Sequence, residues 1–387
     1  MRRPDAMKIL HVITDLDIGG AETTLLRLAT GMDPARFESR VVSLVRPGPV
    51  GERLARAGIP VLSLGMRRGV PSPAGLWRLV RILRSFRPDV VQTWLYHADL
   101  AGLAAVRLAF SLGRRPALAW NIRCSFMALG EYRALTAWTL KLCARLSGQP
   151  DAVLTNSFEA RRFHTELGYH PGRFEVIPNG FDTDAFRPDP EARRAVRAEL
   201  GIPADAPVIG MVARFDPMKD HRMFIEAAAL AEPSLAAPHF LLAGRGVDDG
   251  NCDMARWLSC SGVDAGCVHL LGERSDVARL MAAMDIHVSA SLGESFPNAV
   301  GESMACGVPN VVTDVGDSRL LVGDTGIVVP PDNPQALAEG MVALLKTGRS
   351  VDPGGKRPRS RIENHYSLAA SIGNYTELYA ELHRSAL

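Results

Sequence analysis

Apolar residues along this chain fall into short runs, and between the runs they return at every third or fourth position. In the first half the runs cover 8–14, 39–45, 59–64, 89–94, 116–122, 151–155 and 174–178. In the second half they open the stretches 207–220, 239–246, 267–277, 285–290, 309–313 and 326–329. Short runs rich in Val, Ile and Leu mark strands buried on both faces, and the 3.6-residue spacing between them marks amphipathic helices. Strands that alternate with helices predict parallel, doubly wound sheets. Helical spacing is clear over 23–30, 190–200 and 367–382.

Two further helical patterns are basic. Residues 74–87 place Leu76, Leu79, Val80 and Leu83 on one face, with Arg78, Arg81 and Arg84 beside them. Residues 131–147 mix Trp138, Leu142 and Leu146 with Lys141 and Arg145. Each reads as a core-facing helix with a basic outer face, or as an amphipathic surface resting on anionic lipid.

A chain of 387 residues is long for one hydrophobic core, so two domains are expected. The charged stretch 190–200 and the Gly201 after it place the boundary between 186 and 203. The expected division is 1–186, 187–366 and a terminal helix over 367–387. No apolar run approaches the roughly 20 residues needed to span a bilayer, and 7–14 reads as a strand, not a signal peptide. The six cysteines, Cys124 among them, show neither a CxxC pair nor zinc spacing, so a reduced, cytoplasmic chain is expected. The net charge of +2 hides an asymmetry. Residues 1–185 hold 25 Lys and Arg against 16 Asp and Glu, or +9, which leaves 19 against 26, or −7. A basic first half suits an anionic surface or acceptor, and solvated arginine faces are the plainer reading. A lipid-linked acceptor at the inner face of a membrane would explain both the asymmetry and the basic helices. No nucleic-acid partner is expected.

The stretch 285–316 carries the densest chemistry. It reads as a strand, a small-residue loop from Ser289 to Ser295, a helix opened by Pro297 and closed by Gly307, and a second strand. Glu294 stands in the loop and Glu302 inside the helix, roughly 7–8 Å along its axis. Two acceptors so spaced can hold hydroxyls at both ends of an extended polyol, and the first-turn N–H groups between them favour an anion. Nucleotide-diphospho-sugars order their hydroxyls and phosphates in that way. Surface glutamates are the plainer alternative. Upstream, a strand end delivers Arg214 and, five residues on, Lys219; two fixed cations stabilise the charge that builds on a departing diphosphate. At the first strand's end, Gly19-Gly20-Ala21-Glu22 opens a helix and lets backbone N–H groups face a phosphate. Asn121 and Arg123 end another strand, where ligands of open sheets bind, so Arg123 is a candidate acceptor contact.

Glu294-Ser295-Phe296-Pro297-Asn298 through Glu302, with its flanks, resembles the Glu-x7-Glu signature of retaining glycosyltransferases of family 4. The chain departs from it at Ser295, Ser303, Cys306 and Asp317, and none of these removes a charged group. Ile177-Pro178-Asn179-Gly180 and the Gly-Gly-Ala-Glu turn are also similar to family signatures, and the resemblance covers essentially the whole chain. It implies the GT-B fold, two Rossmann-like domains with parallel sheets facing each other across a cleft, with acceptor bound by the first and donor by the second. It implies that Ser295, Phe296, Pro297 and Asn298 join the two glutamates on the donor, and that Gly19 and Gly20 lie beside the donor phosphate. It places His97 near the sugar's 6-hydroxyl, Glu22 on the acceptor side, and the turns bearing Arg245, Gly272, Glu273 and Arg274 along the nucleotide base. Arg214 and Lys219 would replace a divalent metal, although Asp220 stands where the family often has Gly. No metal and no cofactor beyond the nucleotide-sugar co-substrate are expected, with UDP favoured by family frequency. The implied activity is retaining sugar transfer to a glycan or lipid-linked acceptor, as in cell-surface polysaccharide or glycolipid synthesis. The rivals are a nucleotide-sugar 2-epimerase and a non-catalytic nucleotide-sugar-binding scaffold.

Overall fold

The computed structural model describes residues 6–67, 70, 72–111, 113–123, 134–347 and 358–385, with the side chains of 134–136 and 347 excepted. Cys124, the start of the expected 131–147 helix and most of 348–360 lie outside the described residues. The chain divides into two compact units, Met1–Gly180 with Ala369–Leu387, and Phe181–Leu368.

The first unit is built on strands β1 (Met7–Ile13), β2 (Phe37–Ser43), β3 (Val61–Ser63), β4 (Val90–Trp94), β5 (Ala117–Ile122), β6 (Ala152–Thr155) and β7 (Phe174–Val176). They form one parallel sheet in the order β3-β2-β1-β4-β5-β6-β7. The second unit holds β8 (Val208–Val212), β9 (His239–Ala243), β10 (Val268–Leu270), β11 (Ile286–Ser289), β12 (Asn310–Thr313) and β13 (Ile327–Val329). Its parallel order is β10-β9-β8-β11-β12-β13. Every run expected to be a strand is one.

Apolar side chains leave both faces of each sheet, so a core lies on either side of it. In the first unit Ile9, Ile13 and Trp94 pack on one face, and Leu10, Val12 and Trp120 on the other. The terminal helix Leu368–Ser385 belongs to the first of these cores through Tyr375, Leu378, Tyr379 and Leu382. Its phenols are satisfied there: Asn121 Nδ2 donates to Tyr375 Oη at 3.0 Å, and Tyr379 Oη donates to Gln92 Oε1. The chain enters and leaves the second unit at adjoining points, where the Phe181 amide donates to Tyr366 O and the Leu368 amide to Phe181 O.

Helix ends depart from the apolar pattern in two places. The first helix runs Gly20–Gly31, three residues ahead of the expected start, because Gly-Ala-Glu shows no apolar periodicity although it is helical. Pro358–His365 is a helix, although the stretch it follows is rich in Gly, Pro and Arg and shows no apolar periodicity. It is held by long-range bonds from Arg359 Nη1 to Ala305 O (2.7 Å) and Arg361 Nε to Leu321 O (2.8 Å), which local composition does not reveal. The helix Pro73–Phe86 turns Leu79, Val80, Leu83 and Phe86 inward and Trp77, Arg78, Arg81 and Arg84 outward. In the helix Ala134–Leu146, Trp138, Lys141, Leu142 and Arg145 face outward. Among the described residues no helix is long and apolar enough to cross a membrane.

Candidate active site

In a parallel open sheet the binding crevice lies outside the carboxyl ends of the strands where the order reverses. In the second unit that place is between β8 and β11, and in the first between β1 and β4. In each unit the strand ends expected to carry the chemistry stand at its own crevice.

β8 runs into Arg214, whose Nε (3.0 Å) and Nη2 (2.8 Å) donate to Asp216 Oδ2. The other oxygen of Asp216 accepts from the Met218 amide at 2.9 Å and caps the short turn Pro217–Lys219. Burial would raise the Asp216 carboxyl, but bonds from Arg214 and Met218 and the charges of Arg214 and Lys219 hold it below its ordinary value. Asp220 follows at φ +48°, ψ +58°, the left-handed region where family members often have Gly. Its carboxylate caps the next helix through the Met223 amide at 3.1 Å, which compensates a conformation Asp tolerates better than most residues.

β11 runs into the small-residue loop. The Leu292 amide donates to Met218 O at 2.8 Å and ties this loop to the Lys219 turn. Lys219 Nζ then donates to Glu294 Oε1, which also accepts from Ser291 Oγ at 2.8 Å. Both ends of this ion pair are largely buried, with side chains 25% and 12% exposed. Lys219, Ser291, Glu294, Phe296, Pro297 and Asn298 line a cavity of about 240 Å³. Pro297 is the N-cap of the helix Asn298–Ala305, so that helix starts at the cavity wall. Glu302 is half-buried one turn further along and does not line the cavity.

The loop is braced from behind. Thr313 Oγ1 donates to Ser291 O at 2.6 Å, and the Asp317 amide to Ser295 O at 3.1 Å. Gly316, at φ +54°, passes so close that a Cβ there would lie 2.2 Å from Glu294 O. A glycine is required.

His287 also lines the cavity and went unnoticed in the sequence. Burial pushes its pKa down to about 4, so the ring is neutral at pH 7. Its Nδ1 lies 2.7 Å from Asn310 Oδ1 and its Nε2 accepts from the Val212 amide at 3.4 Å, which assigns the proton to Nδ1. Ser303, one of the family departures, donates to the same Asn310 oxygen at 2.8 Å. The signal available is a polar residue between two apolar ones, Ile286 and Val288, in a buried strand.

The ends of β8, β9 and β10 are laced together by backbone. The Gly244 amide donates to Gly272 O and the Phe215 amide to Arg245 O, both at 2.8 Å. The side chains of Arg245 and Glu273 are exposed. Arg274 is engaged otherwise, with its guanidinium held by Asp276 (2.8 Å) and Glu199 (3.0 Å).

In the first unit, Gly19 caps the helix that Gly20 opens. The Glu22 carboxylate folds back over Gly19, where a Cβ would lie 2.3 Å from Oε2. Glu22 is buried, and burial pushes its pKa up to about 6. Arg123 Nη2 donates to Thr24 Oγ1 at 2.9 Å and to Asn179 Oδ1, and Nη1 to Tyr375 Oη at 3.3 Å. It therefore ties three segments of the unit, and its Nε is buried with no partner among the described residues. His97 stands in the first turn of the helix Tyr96–Ala109. The residue before that helix, Leu95, holds φ +71° and ψ +153°, a strained setting for a branched side chain. His97 is half-buried, and burial lowers its pKa, so it is neutral at pH 7. Among the described residues, Glu232, Asp264 and Cys267 could share a metal ion; none is a residue of the sites above.

Two family models match, "Glycosyltransferase Family 4" over residues 18–185 and "Glycosyl transferases group 1" over 206–347. The D-inositol 3-phosphate glycosyltransferase of Mycobacterium bovis is 30% identical over 246 residues, 62% of this chain and 49% of that protein. The chain thus spans about half the length of the curated relatives it matches. Among solved structures, Anabaena Alr3699/HepE in complex with UDP aligns over 97% of this chain and 100% of its own, at TM-score 0.83 and 23% identity. A glycosyltransferase from Rickettsia africae aligns over 97% and 98%, at TM-score 0.82 and 18% identity. With both halves matched and both sheets in place, the chain belongs to the group 1, family 4 glycosyltransferases and has their GT-B fold.

Proposed function

We propose that the protein is a retaining glycosyltransferase that moves a sugar from a nucleotide-diphospho-sugar, a UDP-sugar by preference, to a hydroxyl of a glycan or lipid-linked acceptor. The observation that carries this reading is the Lys219–Glu294–Ser291 cluster, set beside a helix N-terminus at the carboxyl ends of β8 and β11. A cation and the N–H groups of a helix's first turn suit a diphosphate, and the carboxylate suits sugar hydroxyls. Crystals of Anabaena Alr3699/HepE with UDP and with UDP-glucose support the choice of donor.

In this reading the bond from the anomeric carbon to the diphosphate breaks as the acceptor oxygen bonds on the same face. The acceptor's proton passes to the departing phosphate oxygen. Arg214 and Lys219 stabilise the charge on that diphosphate without a metal, and the N–H groups after Pro297 share it. Glu294 orients the sugar, Glu302 takes a hydroxyl further along the donor, and Arg245, Gly272 and Glu273 border the nucleotide. His97, Gly20 and Glu22 are assigned to the sugar and acceptor side. Glu294 is not cast as a covalent nucleophile, since its oxygen is already shared by Lys219 and Ser291.

Slow release of UDP from UDP-glucose in water tests the assignment. Arg214→Ala, Lys219→Ala and Glu294→Ala are each expected to reduce that rate by about 10²–10³-fold. Sugar interconversion without acceptor would indicate a 2-epimerase, and tight binding without turnover a scaffold.

A further inference from the structure

A second cavity, of about 410 Å³, lies wholly within the first unit. It begins at the carboxyl ends of β1 and β4, with Thr14 and His97, and continues between helices. His97, Leu100, Ala101 and Ala104 face it from one helix at positions i, i+3, i+4 and i+7. Two of those four positions are alanines, and their small side chains leave the space open. Met66 and Leu76 also line it.

Thr14, Ser72, His97, Thr139 and Arg67 are the polar side chains of a lining that is otherwise apolar. Thr14 Oγ1 is buried and has no partner among the described residues, and the His97 ring is neutral. A polyol pushed past them would bury hydroxyls against aliphatic walls, where each unmet hydrogen bond is costly. A hydrocarbon chain gains there. The charge in the lining is one-sided: among the described residues exposed Arg67 lines the cavity and no carboxylate does.

We propose that this cavity seats the hydrocarbon tail of the acceptor, a phosphate-bearing lipid whose anionic phosphate meets Arg67 and whose reacting hydroxyl, beyond that phosphate, lies toward Thr14 and His97. The inference rests on the transferase reading and specifies its acceptor class. Exposed Val70 beside the opening, and exposed Trp77 on the adjoining helix, suit a surface from which such a lipid is drawn.

Octyl, decyl and dodecyl phosphate, each below its micellar concentration, are titrated into the full-length protein by calorimetry. Affinity should rise about threefold to fourfold per added methylene until the cavity is filled. Inorganic phosphate should not compete with dodecyl phosphate, and a neutral dodecyl maltoside should bind at least tenfold more weakly. Ala101→Trp fills the cavity and should abolish the chain-length dependence, as should the milder Ala104→Phe if the first variant folds poorly. Both should hydrolyse UDP-glucose as the parent protein does. Affinity independent of chain length, or unchanged in both folded variants, overturns the proposal and indicates adsorption elsewhere. Equal binding of the neutral detergent overturns the anionic head. Chain-length dependence in a protein that never cleaves UDP-glucose would sink the transferase reading and leave the lipid seat standing.

Discussion

At the scale of single residues, the site depends on side chains whose neighbours in space are far apart in the chain. Lys219 and Glu294 are bonded because the Leu292 amide reaches Met218 O, a contact that spans two strand ends. Asp220 shows how a departure from a family pattern can be compensated locally. It occupies a left-handed position and repays that strain with a helix cap. Asp220→Gly should therefore be almost neutral, because glycine relieves the strain and costs only a few tenths of a kcal/mol as a cap. Asp220→Ala keeps the strain and loses the cap, so it should destabilise by about 1–2 kcal/mol. Denaturant melts of the two variants check this, and equal losses would contradict it. Lys219 and Glu294 stand at two strand ends that charge, spacing and turn residues mark in the sequence. The pairing of Arg274 with Asp276 and Glu199 was not legible there, since Glu199 sits on a helix seventy-five positions away. Nor was the bond between His287 and Asn310, on neighbouring strands twenty-three positions apart.

At the scale of elements, apolar runs identified every strand, because a strand buried on both faces must be apolar at successive positions. Helix ends were less legible, since they are set by caps and distant partners. The helix Pro190–Glu199 shows the difference. Its sequence is mostly charged, yet Arg197 is buried and donates to Asp285 Oδ2 at 2.7 Å, while Arg193 donates to Oδ1 at 2.8 Å. Asp285 also accepts from the Val208 amide at 2.8 Å, so one carboxylate fastens the helix to the feet of β8 and β11. Asp285→Ala takes the carboxylate from a buried guanidinium that keeps only backbone carbonyls, and should cost about 3–5 kcal/mol of stability. Thermal unfolding tests this, and a loss under 1 kcal/mol would show that the pair is dispensable.

At the scale of the whole molecule, two parallel sheets place their reversals of strand order at Thr14 to His97 in one unit and Arg214 to Glu294 in the other. Alternation of strand and helix made that architecture readable in outline, whereas cavity shape depends on which side chains are small, as at Ala101 and Ala104. Burial also sets the response to acid. His11 is pushed down to about 3, and His164, His221 and His287 to about 4, from an ordinary 6.5. Below pH 6.5 the unfolded chain binds these protons and the folded chain does not, so stability falls as pH falls toward 4. Each ring costs up to about 1.4 kcal/mol per pH step of one. Glu22 works in the other direction: its carboxyl, raised to about 6, favours the folded state below pH 4.5, and that gain is lost as pH rises through 6. The histidines outweigh it, so the melting temperature should drop steeply between pH 6.5 and 4.5; an unchanged value across that range would contradict the burial described for them.

Titration of UDP into the parent protein and two variants, by calorimetry, tests the donor site most directly. Lys219→Ala should weaken UDP at least tenfold, since it removes a cation from the diphosphate. Glu294→Ala should leave UDP within about threefold while erasing the preference for UDP-glucose over UDP, because its carboxylate holds the sugar. Equal UDP affinity in the parent protein and Lys219→Ala, or no binding by either, would place the nucleotide elsewhere and end the account.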